Sequence, residues 1–378
     1  VVNAGQSVGL RQGAQFAIYP LGTNDFTQTD RRLALAELTE LGASSSRAKI
    51  TQRLRPGALE QGAPAVLTYP GSVRLVRKVL LFSQDVTRDD GGNEIPHPIP
   101  KQVQQAALDR VRQSLAGAGW VVETTGDDEL HYHVAVDKDG AYEIWDRAGA
   151  PIRNLRPALM IDDAVAPAKV AGRLVHLAKY HAIQQLANHD PASPLANQIT
   201  AELMGKQADY QPGDPIEPEP FAEPGATATV KPAEWFFMRI RNTSPGPLNV
   251  AMLDLAPDWS ITQIFPPAPA PLREIDAGKQ EIIRLQGSLP DGYREGTDLL
   301  KVFATLGLAD FRFLELPPLD EPITTRSATR GAPQSQLGQL LAEFGAEQPR
   351  TRNVNAHMFA SEQWTSDELE VRVVQSGA

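Results

Sequence analysis

Gly5-Gln6-Ser7-Val8-Gly9 spells the G-x-S-x-G string of a serine-hydrolase nucleophile elbow. That string does chemistry only where a buried strand turns sharply into a helix, so that the serine oxygen stands clear of the sheet. Leu10-Arg11-Gln12-Gly13 starts no helix of any length, so the context supports a glycine-rich turn. His131 and His133 stand two apart on an expected strand, which points both imidazoles to one side, with Asp127, Asp128 and Glu129 close by. A structural zinc wants about four ligands. His97, His176, His181, His189 and His357 show no compatible spacing, so the pair reads as polar residues on a solvent face. His181 falls on the apolar side of an expected helix with Val170, Leu174 and Leu177, the place of a satisfied core or interface histidine. Carboxylates abound, but glycosidase chemistry depends on the spatial separation of two of them, and nothing singles out a pair. Trp235, Trp259 and Trp364 could line a sugar- or peptide-binding face, although tryptophans in sandwich strands are more often core. There is no Walker loop, dinucleotide fingerprint, H-E-x-x-H or EF-hand loop. No catalytic, cofactor-binding or metal-ligating residue is therefore assigned, and no cofactor is expected.

The elements that must position these residues are bounded by composition. A chain of 378 residues is too long for one core and should hold about two to four domains of ~100–150 residues. The formal charge of −10 offers no basic footprint for nucleic acid. The absence of cysteine excludes disulfides, thiolate metal sites and a cysteine nucleophile within these residues. No apolar run approaches the ~20 residues of a membrane span, so a cytoplasmic protein is expected. The chain opens on Val1-Val2-Asn3 without an initiator methionine and reads as the C-terminal piece of something longer, with room for a targeting segment upstream.

The expected fold class is β-rich and multi-domain (α+β). Residues 1–90 alternate short β-prone runs with glycine turns: 14–19, 33–41, 47–52, 65–69 and 72–82. The turn Leu10-Arg11-Gln12-Gly13-Ala14 is echoed by Leu59-Glu60-Gln61-Gly62-Ala63, which suggests a small β-barrel-like module because two copies are too few for a solenoid. Residues 95–206 read as an α+β module. Its first helix, 101–116, carries Val103, Ala107, Val111 and Leu115 four apart. Strands follow at 120–124, 130–136 and 141–146; Pro167 opens a second helix, and Pro194 a third that ends near Gly205. Residues 207–232 collect prolines and carboxylates and read as a solvated linker, where proteases should cut first.

Residues 233–320 read as an immunoglobulin-like antiparallel β-sandwich, with β-like runs at 235–242, 248–255, 259–265, 280–285, 299–305 and 311–316. Such a sandwich names no chemistry by itself. Residues 321–378 read as a loose connection, a short helix over 335–344, and a terminal strand in which Leu369, Val371 and Val373 alternate with Glu370 and Arg372. That strand is expected to return to the sandwich, because its apolar face would otherwise be an aggregation hazard.

Read in order, Glu234-Trp235 through Arg241-Asn242, Leu248-Asn249-Val250, Leu253-Asp254-Leu255 with Pro257-Asp258-Trp259, Glu295-Gly296-Thr297-Asp298, Lys301-Val302-Phe303-Ala304-Thr305 and Leu314-Glu315-Leu316-Pro317-Pro318 resemble the C-terminal region of bacterial caspase-like proteins, the orthocaspases or metacaspase relatives. The opening Ala4-Gly5 to Phe16-Ala17-Ile18-Tyr19 is similar to the segment that follows their protease domain. In that family a separate N-terminal domain carries the histidine and cysteine, and neither can be placed here. The resemblance implies a non-catalytic accessory region that works through protein contacts, with its own protease domain or a substrate as partner. A stand-alone sandwich recognising carbohydrate or peptide is the alternative, and a hydrolase in its own right the remote one.

Overall fold

The computed structural model describes residues 2, 15–23, 31–40, 47–56, 59–60, 62–69, 76–89, 91–116, 118–126, 130–187, 193–221, 227–307, 309, 311–321 and 364–375. The serine motif, the acidic run 127–129, His189, His357 and the helix expected over 335–344 lie outside them.

Four strands make the first sheet: β1 (Gln15–Ile18), β2 (Ala34–Glu40), β3 (Arg47–Arg53) and β4 (Ala65–Tyr69). Alternation on β2 sends Ala34, Ala36 and Leu38 inward. The order is β3-β2-β1-β4, all antiparallel, so among the described residues β3 and β4 are free ends and no pairing closes a barrel. The expected boundary at residue 90 also moves. β5 (Arg77–Leu81) is an interior strand of the next sheet, because Arg77, Val79 and Leu81 face that sheet's helices.

A short hairpin, β6 (Val86–Arg88) with β7 (Glu94–Pro96), leads into α1 (Lys101–Leu115), then β8 (Val121–Glu123), β9 (Leu130–Val136), β10 (Tyr142–Trp145) and α2 (Ala166–Gln184). The second sheet runs β10-β9-β5-β8, with β5 parallel to both neighbours and β10 antiparallel to β9. Helix α1 buries Ala107, Leu108, Val111 and Leu115 as its spacing predicts, but Val103 is 45% exposed and Gln104 is buried in its place. The Gln104 amide donates to the Gln84 and Ile99 carbonyls and accepts from the Gln84 N–H, satisfying loop groups that a valine would leave unpaired. Helix α2 is apolar almost all round, with Val170, Leu174, Leu177, Ala178 and Ile183 buried, which marks a helix enclosed on more than one side.

The third helix expected from Pro194 does not form. β11 (Ile199–Gln207) occupies that stretch, paired antiparallel with β13 (Trp235–Asn242). Pro194 and Gly205 resemble helix punctuation, yet Pro194 sits in a turn and Gly205 marks a bulge. At Gly205, with φ +139°, an added Cβ would lie 2.1 Å from the Glu219 carbonyl oxygen, so only glycine lets the backbone pass this close. The segment expected as a solvated linker is likewise anchored. Lys206 and Glu219 exchange backbone hydrogen bonds, Tyr210 is 1% exposed against Trp235 and Phe237, and β12 (Ala228–Val230) enters a sheet. Its prolines terminate pairing without preventing these anchors.

The sandwich is completed by β14 (Leu248–Leu255), β15 (Ile261–Phe265), β16 (Arg273–Ile275), β17 (Gln280–Gln286), β18 (Glu295–Thr305) and β19 (Trp364–Val374). One sheet is β11-β13-β17; the other is β12-β19-β18-β14-β15, with β16 on β14. Phe236, Met238 and Ile240 from the first sheet meet Val250, Met252, Val302 and Val371 from the second. This is an immunoglobulin-like antiparallel β-sandwich, and the terminal strand lies inside it, antiparallel to β18 and parallel to β12. The strand expected over 311–316 is instead a 3-10 turn, Phe311–Leu314. Phe311 stacks on Phe303 with ring centroids 4.7 Å apart, a contact that an extended chain paired on a sheet edge could not make.

The second sheet of the sandwich is buried on both faces. Ala251, Leu253, Leu255, Leu299 and Phe303 point away from the inter-sheet core and join Leu174, Leu177, Val111 and Val79 in one continuous apolar cluster. The α/β layer and the sandwich are therefore one body, which also explains why β14 is apolar on both parities.

Candidate functional site

The groups with the most perturbed acidity gather where α2 meets the sandwich. Successive turns of the helix present His176, Tyr180 and His181 to the loop after β14, where Ala256, Trp259 and Ser260 close a tight turn. Trp259 stands in the left-handed region at φ +67°, a strain that a bulky residue accepts only when its surroundings fix it. Its indole packs edge-on against Tyr180 at 4.9 Å and His181 at 5.6 Å, and its carbonyl accepts from His176 Nε2–H at 2.8 Å. On the other side His181 Nδ1 shares a 2.7 Å hydrogen bond with the Tyr132 hydroxyl of β9. Burial lowers His176 and takes His181 down to about 4, so both imidazoles are neutral. Burial also raises Tyr132 and Tyr180, so both phenols keep their protons.

Two carboxyls border this seam. Asp254 on β14 pairs with Leu300 on β18, two residues from Asp298, so the two side chains are diagonal neighbours on one face. Asp254 Oδ1 is shut off from solvent and has no hydrogen-bond partner among the described residues. Burial, then the charge of Asp258, pushes Asp254 up to about 7; burial, then the charges of Asp254 and Asp258, pushes Asp298 up to about 8. The two titrate as a pair that keeps a proton at neutral pH. Asp258 itself accepts from Ser260 N–H and Oγ–H.

Because the folded pair binds protons more tightly than the unfolded chain, its contribution is greatest below the usual carboxyl pKa of about 4 and is lost as pH rises through the folded values. The buried histidines work the other way, but above about pH 6.5 each is less than half protonated even in the unfolded chain, so the carboxyl pair outweighs them. Between about pH 6.5 and 8.5 the thermal midpoint should therefore fall, and Asp254→Asn should flatten the fall and raise the pH 8 midpoint by about 3–8 °C. Calorimetry at several pH values checks this; a wild-type midpoint constant over that range would refute it.

Two buried cations tie the same layers together. Arg173 of α2, 3% exposed, forks onto both Asp320 oxygens and also donates to the Pro157 carbonyl. Lys301 of β18, 1% exposed, donates to Glu368 of β19 and to the Gln184 carbonyl at the end of α2, where the helix dipole favours a cation. Neither ion pair is visible in local spacing, because each joins residues more than 60 positions apart.

The sequence candidates fall elsewhere. His131 and His133 do share one face of β9, but each ring is engaged. His131 Nδ1 accepts from the Lys78 N–H, and His133 Nδ1 bonds the Asp146 carbonyl. Among the described residues no three His, Asp or Glu side chains gather as a metal set. The tryptophans share no surface: Trp364 is buried, Trp259 is turned into the seam, and Trp235 rests on Tyr210. Two open cavities of about 360 and 450 Å³ flank α1, share Arg112, and touch neither the carboxyl pair nor His181. Arg112 is clamped between them by a bidentate pair with Glu123 at 2.6 Å. Among the described residues no helix is long and apolar enough to cross a membrane.

No family model and no curated protein matches the chain. Among solved structures it is similar to the ASH / PapD-like domain of human CEP192 (PapD-like domain 7), at 8% identity over 51% of this chain and 95% of that one, with a TM-score of 0.22. At that score the likeness decides nothing, and the sandwich stands on its own strand order.

Proposed function

We propose that this chain is a non-catalytic interaction region, the C-terminal accessory part of a bacterial caspase-like cysteine endopeptidase, acting in the cytoplasm by docking a substrate or partner or by restraining the protease. The sequence resemblance supplies the family. The observation that carries the non-catalytic part is the seam. Its perturbed aromatic groups, His176, Tyr180 and His181, are taken up in contacts between elements, and Asp254 and Asp298 line neither described cavity, whereas a reacting site needs such groups converging on a cavity. The scattered tryptophans remove the feature that favoured a carbohydrate reader.

The purified chain is expected to leave arginine-, lysine- and aspartate-directed fluorogenic peptides and a simple ester uncleaved; turnover that disappears in Ser7→Ala would overturn this. In the full-length protein, removing this region should slow cleavage of a protein substrate about tenfold, the effect of withdrawing about 1.4 kcal/mol of docking. Cleavage of a short fluorogenic peptide should slow far less. Equal loss for both substrates, or for neither, would remove the accessory reading.

A further inference from the structure

The sandwich edges differ in how they are finished. β11 is closed by Asp367, whose carboxylate accepts from the Ala201 N–H, and by the Lys206–Glu219 backbone pair. β15 is closed by Leu316, paired with Ile261, and by Glu315, which accepts from the Gln263 N–H. Among the described residues β17 has β13 on one side and no strand on the other.

Its register shows which backbone groups are free. Asn242 N–H donates to the Lys279 carbonyl and Gly287 N–H to the Glu234 carbonyl, so the hydrogen-bonded pairs of the β13–β17 ladder fall on the odd residues of β17. Gln280, Ile282, Arg284 and Gln286 therefore aim their N–H and C=O groups outward, and no hydrogen bond to those backbone groups is found among the described residues. This is a seven-residue edge with Ile283 buried and Leu285 half-buried on the core side. Among the described residues it carries none of the proline, bulge or covering loop that blunts natural edges.

The two faces of this edge differ in chemistry. On the core side an added strand would set its side chains beside Ile283 and Leu285. On the outer side it would meet Arg284, with Arg239 and Arg241 on the neighbouring strand. Glu202 pairs with Arg239 and the Tyr210 hydroxyl accepts from Arg284 Nε–H, leaving an excess of positive charge on a chain whose formal charge is −10.

Resting on the interaction reading above, we infer that β17 is a docking edge for an extended segment of a partner protein, apolar at alternate positions and acidic at the positions between. Backbone hydrogen bonds to Ile282 and Arg284 would hold the segment, its apolar residues would extend the inter-sheet core, and its carboxylates would face the arginines.

The test uses two labelled peptides of about nine residues, long enough to span the edge, one alternating valine with glutamate and the other valine with lysine. Fluorescence anisotropy with the full chain should show the glutamate peptide binding at least about tenfold more tightly. Ile282→Pro removes an outward N–H that the β13 ladder does not use, so it should weaken binding about tenfold or more while leaving the thermal midpoint nearly unchanged. If that variant does not fold, Arg284→Glu decides: it should reverse the preference between the peptides. Equal binding of both peptides, or glutamate-peptide binding indifferent to these variants, overturns the proposal. So does a dimer in sedimentation that Ile282→Pro dissolves, which would assign the edge to a second copy. In the full-length protein, slowed protein-substrate cleavage on removal of the region but not in Ile282→Pro leaves the accessory reading standing and the edge refuted. Peptide binding without any effect of removal leaves the reverse.

Discussion

Val371→Asp is expected to lower the thermal midpoint by about 10 °C or more, the effect of several kcal/mol in a body of this size. Val371 is 0% exposed, stands between β18 and β12, and packs into the inter-sheet core with Val302 and Met252. Its replacement loses about 1.5–3 kcal/mol of apolar burial and adds a carboxylate with no partner, which must either draw in water or take up a proton. The neighbouring Arg372 points to the opposite face, where it pairs with Glu295, so it cannot rescue the charge. Removing residues 364–378 should be at least as severe, since it exposes the whole length of β18 on one side. Calorimetry on both variants checks the expectation; a shift of only a degree or two would mean that β19 does not belong to the sheet.

The second large effect is asymmetric and concerns Arg173 and Asp320. Asp320→Asn keeps a side chain that tolerates the left-handed backbone at φ +66° but removes the charge that balances a guanidinium only 3% exposed. A buried cation left with neutral acceptors, the Pro157 carbonyl and one amide oxygen, and no opposite charge should cost about 3–5 kcal/mol. Arg173→Met in the same background should recover much of that loss, because the stem keeps its packing and no charge remains buried. A double-mutant cycle followed by chemical unfolding measures the coupling. If Asp320→Asn alone changes stability by less than about 1 kcal/mol, the pair behaves as a surface ion pair and does not join the layers.

Local periodicity was informative wherever a residue's neighbours in sequence decide its environment. The strands at 65–69, 130–136, 235–242 and 248–255 stand where alternation puts them, and the terminal Leu369–Val373 parity locates the core of β19. The stripe of α1 was legible except at its first turn, where Gln104 displaces Val103 because unpaired loop carbonyls had to be satisfied. Local spacing misleads at β11, whose bounding Pro194 and Gly205 mimic helix punctuation, and at Phe311–Leu314, where stacking on Phe303 overrides strand propensity. Of the candidate site, only the interface position of His181 could be read from spacing.

The sequence by itself determined the β-rich class, most strand positions and the absence of thiol chemistry, because side-chain alternation, turn residues and composition act over a few neighbouring positions. Tertiary structure alone decided that the α/β layer and the sandwich are one body. It also decided that Asp254 sits diagonal to Asp298, that Lys301 closes the end of α2, and that β17 has a strand on one side alone among the described residues. Each of these depends on which distant segment pairs with which. That choice is set by the burial of two faces against each other, and local spacing records only which side of a segment faces inward.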